Sequence, residues 1–408
     1  MASGSSSKEK IPHPLFRLGF RPLFLFGALS AVMLVGWWTY YWTALTMGEA
    51  LQWAPIGGAV WWHGHEMVFG FTTAIIGGFL LTAVRNWTGI ATITGKPLML
   101  LAMLWVTARL ALAFGPLLSL DPAFVLLIDE LYFLGLILAV GHPIIKAKMW
   151  RNLMFVPILL AFAVLNGLSY GSALGVSGLE GFSISAIHGG VFLIVLIIAI
   201  IGGRVLPFFT ANGLGIPKVD GIPALDLVSI LSLVILVGCA LYGLNDMPSG
   251  LLAGLAFVAG ISNLIRLVRL KFWLCHKVSL LWSLHLFYSF IPFGLIALGF
   301  YALGVIDSFS PVLHLMTVGA IGGMILSMIT RVSLGHTGRP LKASKPLAIA
   351  FVLLFLSVMA RSVLPLAMPG AIASAILWAG VLWVIAFGVF VVIHGPYLWS
   401  ARPDGKPI

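Results

Sequence analysis

The sequence predicts an all-α polytopic membrane protein: twelve transmembrane helices in three pseudo-equivalent sets of four, with both termini cytoplasmic. Composition comes first. The 408 residues are 61% hydrophobic and only 9% charged, with a mean hydropathy of +1.10, a balance that water-soluble folds do not carry. A similar histidine-led pattern then recurs three times along the chain. Finally, the basic residues fall on alternate connections only.

Apolar runs long enough to cross a bilayer cover 20–42, 62–84, 97–116, 122–142, 152–172, 186–208, 224–243, 249–270, 280–303, 311–331, 346–367 and 370–394. The connections after the odd-numbered spans (43–61, 116–121, 173–186, 244–248, 304–310 and 365–371) contain no Lys or Arg. The other connections and both ends carry nearly all the basic charge, which places them in the cytoplasm. The net charge of +11 thus reports topology, and no nucleic-acid surface is read from it. Residues 1–12 read as a mobile cytoplasmic tail, 13–394 as one bundle (repeats about 13–151, 152–276 and 277–394), and 395–408 as a second tail. The first apolar run is too long for a cleavable signal peptide and lacks a small-residue cleavage site. Cys239, within a span, and Cys275, in a loop, have no metal-binding spacing and read as packing residues.

The repeat rests on WWHGHEMVFGFTTAIIGG around His63, HGGVFLIVLIIAIIGG from His188 and HLMTVGAIGG from His314, with the histidines 125 and 126 residues apart. Arg109 and Arg361 are 252 residues apart, as are His142 and His394. Ionisable groups inside a bilayer cost about 2.5–3.5 kcal/mol each on insertion scales, so each is a functional candidate. The outer leaflet collects His63, His65, His188, His314, Arg109, Arg361, Glu66, Asp129 and Glu130. Imidazoles at one depth on three helices point to a metal or a metal cofactor. Buried guanidinium groups beside them suit the carboxylates of a haem; pairing with Asp129 or Glu130 is the alternative for the arginines. Glu66, Asp129 and Glu130 are the candidates to supply or relay protons. His63 and His65 lie about 200° apart on a helix, so they serve two centres, or one ligates and the other supports.

The glycine pairs Gly77-Gly78, Gly202-Gly203 and Gly322-Gly323 read first as close-packing sites and second as a flat shelf for a macrocycle. A cytoplasmic polar ring includes His285, over a turn into its span, and Arg204 beside the second glycine pair. A second cofactor or a quinol head group is the functional reading there. No phosphate-binding loop, dinucleotide fingerprint or covalent haem motif occurs.

FRPLFLFG (20–27), WWHGHEMVFGF (61–71), LTAVRNWTG (81–89), GGRVLPFFT (202–210), LHLFYSFIPFG (284–294) and TVGAIGGMILSMITRVSLGHTGRPL (317–341) are similar to signature stretches of the NnrS family. The resemblance runs from about residue 13 to the last span. It implies a bacterial inner-membrane protein of nitric oxide metabolism holding haem b and copper, in denitrification or nitrosative stress. A looser resemblance links the pattern to the haem-copper oxidase and nitric oxide reductase bundle. This chain departs from that bundle: the seventh span has no histidine and the tenth has one within the membrane. On this reading the protein binds nitric oxide and reduces it, drawing electrons from a quinol or a cytochrome. The alternatives are a non-catalytic haem-based sensor or buffer of the gas, and a metal or solute transporter, which a twofold or inverted repeat would fit better.

Overall fold

The computed structural model describes residues 12–49 and 51–406, so the expected N-terminal tail lies almost entirely outside the described residues. Among the described residues every regular element is helical. Twelve helices are long and apolar enough to cross a membrane: α1 (Phe20–Thr46), α2 (Ala59–Thr88), α3 (Lys96–Phe114), α4 (Pro122–Lys146), α5 (Trp150–Ser169), α6 (Phe182–Leu214), α7 (Pro223–Tyr242), α8 (Ser249–Arg269), α9 (Ser279–Ala302), α10 (Phe309–His336), α11 (Lys345–Ala367) and α12 (Pro369–Trp399). Each expected span falls on one of them, and the chain is a multi-pass membrane protein.

Their ends follow local chemistry. Pro97, Pro122, Pro223 and Pro346 stand in first turns, where the missing N–H is no loss and φ is already helical. Asp121 caps α4 by accepting from the Ala123 amide at 2.7 Å. Gly89 and Gly215 close α2 and α6 with φ of 69° and 66°, a conformation that favours glycine.

The interior belongs to four helices. Of the apolar stretch of α2, 89% is buried, of α6 72%, and of α9 and α10 67% each; the others reach at most 50%. The three helices carrying the recurrent histidines are therefore central, and α9 joins them. α1 packs on α12 and α2, so the first and last helices close the bundle. Arg21 reinforces that seam, donating to the carbonyls of Leu398 at 3.0 Å and Ser400 at 2.7 Å, where the end of α12 attracts a cation.

The glycine pairs are filled by neighbouring aromatic and aliphatic side chains. Phe24 packs on Gly78, Tyr288 on Gly202, Trp383 on Gly322 and Phe287 on Gly323. Small residues here allow close helix approach, so the packing reading holds at these four positions and neighbours occupy the space of a shelf.

A feature absent from the expectations shapes three helices. Segments Glu66–Thr72 of α2, Leu315–Gly322 of α10 and Met359–Val363 of α11 are π-helical, with backbone bonds reaching one residue further than in an α-helix. Their irregularity is met by side chains: Thr72 Oγ1 donates to the Met67 carbonyl at 2.7 Å, and Trp105 Nε1 to that of Gly70 at 3.0 Å. The first two begin directly after His65 and His314, and the third contains Arg361. α6 runs past His188 without one.

Candidate functional site

At the end of the bundle bearing the recurrent histidines, the candidate residues separate into two clusters and one outlier. The first surrounds a cavity between α1, α2, α6, α10, α11 and α12, into which His63, His314, Thr317 and Arg361 converge. His63 stacks on Trp38 at 4.4 Å with the rings nearly parallel, and its Nδ1 is buried without a hydrogen-bond partner. His314 Nδ1 lies 2.7 Å from the Ser310 carbonyl. A carbonyl only accepts, so Nδ1 carries the proton and Nε2 keeps its lone pair, the arrangement of a metal-ligating histidine.

Ser310 also holds the arginine. Its Oγ accepts from Arg361 Nη2 at 2.8 Å, while Arg361 Nη1 is buried with no partner. Among the described residues no carboxylate pairs with Arg361; the ion pairs involve other residues. A guanidinium in a membrane interior without a counter-charge is costly. Thr317 Oγ1, in the wide turn beyond His314, is likewise buried and unpartnered.

The second cluster is closed. His65, Glu66 and Asp129 are fully buried and Arg109 nearly so. Arg109 Nη2 pairs closely with Asp129, and Nη1 lies 3.4 Å from Glu66 Oε1. Asn166 Nδ2 donates to Glu130 at 3.0 Å, which turns its Oδ1 to His65 Nε2 at 2.7 Å. His65 thus donates through Nε2, and Nδ1 is left bare, 3.8 Å from Glu66. Tyr170 donates to Asp129 at 3.3 Å, and Trp61 stacks on the His65 ring at 4.6 Å. The 200° separation is visible here: His63 faces the cavity, and His65 faces α4 and α5.

His188 is the outlier. It is half-buried, set edge-on to Phe309 at 5.1 Å, and it does not line the cavity, although Ile187 and Val191 do. Arg109 and Arg361, alike in spacing, have opposite surroundings: two carboxylates for one, none for the other. At the far end, His285 meets Thr210 Oγ1 at 2.8 Å with Nδ1 unpartnered. Arg204 turns elsewhere, donating to Asn152 at 3.2 Å, so these two do not form one site. Among the described residues no group of three or more His, Cys, Asp or Glu is placed to hold a metal ion.

Residues beyond the sequence-based set complete both clusters: Trp38, Ser310 and Thr317 at the cavity, Asn166 and Tyr170 in the network. Asn166 had a legible signal, an amide within the apolar FAVLNGLSY of its span. A serine or threonine in a helix is too common to single out.

No curated protein matches this chain. The family described as NnrS protein matches residues 14–402, with all twelve membrane helices inside that range, and the chain belongs to it.

Proposed function

We propose that this is a haem protein of a bacterial inner membrane that binds nitric oxide at the His63–His314–Arg361 cavity and reduces it. Family membership supports the link to nitric oxide. The observation that carries the haem reading is Arg361: a guanidinium without a carboxylate, lining one cavity with two histidines. Those residues fit a flat ligand with a metal at its centre and carboxylates at its edge, because a bidentate fork neutralises a carboxylate. His63 and His314 are the candidate ligands and Arg361 the propionate partner. When bound, haem supplies an iron that takes nitric oxide as a ligand. Ser310 keeps the free nitrogen of His314 and the fork of Arg361 in place, and Trp38 fixes the plane of His63. Copper fits less well, since no three-ligand group occurs among the described residues, and no step is derived through it.

Reduction of two nitric oxide molecules to nitrous oxide and water consumes two electrons and two protons. The carboxylates Glu66 and Asp129, both buried, and Glu130, half-buried, would supply protons. None of them lines the cavity, and that observation favours a second reading, a sensor or buffer that binds the gas without turnover. The three pseudo-equivalent sets of four helices, and the basic end as the cytoplasmic face, belong to the same proposal. The spacing of His63, His188 and His314 supports the first, and the charge distribution along the chain the second.

Visible spectra of the detergent-purified protein, oxidised and dithionite-reduced, before and after nitric oxide, test this reading. A Soret band that shifts with the gas, and is lost in His314→Ala or His63→Ala, is expected. A protein without a Soret band despite haem supply refutes it. A shifting band without gas consumption in the presence of reductant selects the second reading.

A further inference from the structure

A second groove lies away from the histidine cavity. It runs between α1 and α3 from Met99 to Phe114, along about 22 Å of helix. Its rim faces the lipid: Met33, Met103 and Leu110 are 62%, 57% and 56% exposed. Its walls are mostly apolar, with Ser30 and Thr107 among them, and two further side chains that line it carry unpaired donors. Trp62, 1% exposed, lines the groove, and its Nε1–H has no partner. Arg109, 6% exposed, lines it as well, and its Nε–H has no partner either. The neighbouring indoles are already satisfied: Trp53 Nε1 donates to Ala113 and Trp105 Nε1 to Gly70.

Both free groups are donors only, so the missing partner is an acceptor. It is also uncharged. Arg109 is already paired with Asp129 and flanked by Glu66, and a further anion would leave excess negative charge in a membrane interior. Trp37, Trp53, Trp62 and Trp105 all line the groove, and a lining rich in indoles suits an aromatic ring. An uncharged ring bearing carbonyl oxygens, with a long hydrocarbon tail entering from the bilayer, meets all three conditions. A phospholipid does not: its charged head belongs at the surface, and Arg109 stands five residues inside the end of α3, about 7.5 Å below it.

We propose that the α1–α3 groove binds a membrane quinone, its carbonyl at Trp62 and Arg109 and its isoprenoid tail along Met103 and Met99. That the quinone pool serves as electron donor rests on the function proposed above; the binding does not. This places the quinone near the histidine end of the bundle, away from the ring of His285 and Arg204.

The full-length protein in quinone-free nanodiscs provides the test. Decylubiquinone is titrated while tryptophan fluorescence is followed, and decylbenzene, with the ring and tail but no carbonyl, competes. Saturable quenching is expected, with decylbenzene at least about tenfold weaker as a competitor. Trp62→Phe keeps the ring and removes the donor, so it weakens decylubiquinone about fivefold to tenfold, the worth of one hydrogen bond. Ala102→Phe fills the groove and abolishes the quenching. Equal competition by decylbenzene, measured on the unaltered protein, overturns the proposal and leaves a slot for lipid chains. The nitric oxide spectrum of the same samples is an independent readout: its loss with quinone binding intact counts against the function alone.

Discussion

Replacing Arg361 by Gln separates binding from stability because the two change in opposite directions. In the chain alone Arg361 makes one side-chain hydrogen bond, Nη2 to Ser310 Oγ, and keeps Nη1 buried and unpartnered. Removing that charge relieves a membrane cost of up to about 2.5–3.5 kcal/mol and gives up a hydrogen bond worth about 1 kcal/mol. The haem-free protein therefore gains up to about 1.5–2.5 kcal/mol, seen as a higher midpoint of thermal unfolding in detergent. With haem present, the fork gives two charge-assisted bonds to a propionate, each worth about 1.5–3 kcal/mol, and Gln recovers about one neutral bond. A net loss of about 2–5 kcal/mol makes the haem dissociation constant larger by about 30-fold to 5000-fold, read by Soret titration of the haem-free protein. Arg361→Lys keeps the charge without the fork and falls between. A variant that is less stable without haem yet binds it as tightly as the parent refutes the assignment, and Arg361 is then a structural residue tied to Ser310.

The buried network gives a second test. Asp129→Leu strands Arg109 beside Glu66 at 3.4 Å and is expected to cost about 3–5 kcal/mol of stability, most of it recovered in the double variant Asp129→Leu with Arg109→Met. Thermal unfolding of the single and double variants decides it, and a double variant no more stable than the single one contradicts the pairing. The thiols give a third. Burial pushes the Cys275 thiol up to about 11, so at pH 8 only about one molecule in a thousand carries the reactive thiolate. Native protein is expected to resist a maleimide at pH 8 and to react at both cysteines once unfolded in detergent; rapid native labelling of Cys275 contradicts its burial.

Hydropathy alone located every membrane helix, because a chain without water around it must keep its backbone bonds within helices. Depth was legible for the same reason: a rise of about 1.5 Å per residue converts position to height once topology is read. Direction around each helix was not. His63 and His65 could be separated but not assigned, since nothing in the sequence marks which face meets α4 and α5. The difference between the two arginines had a trace in the repeat itself. The positions 252 residues beyond Glu66 and Asp129 are Val318 and Val381, so the half of the bundle around Arg361 lacks the acids that surround Arg109. Ser310 escaped because a neutral polar side chain acquires its role from neighbours brought in from distant parts of the chain.

The π-helical segments in α2 and α10 have a consequence for how this sequence tolerates insertions and deletions. Each wide turn holds about one residue more than an α-helix needs, and each residue turns a helix by about 100°. Deleting one residue near Gly70 or Gly319 would let the turn relax to α-helical form without shortening the span appreciably. The histidine end would then keep its direction relative to the glycine pairs seated against Phe24 and Phe287, whereas the same deletion in an α-helical stretch would swing it by about 100°. These turns hold slack between two halves of a helix whose faces answer to different neighbours. Loss of a single residue should therefore be tolerated at these two turns and in the connections, and be excluded from the α-helical stretches on either side.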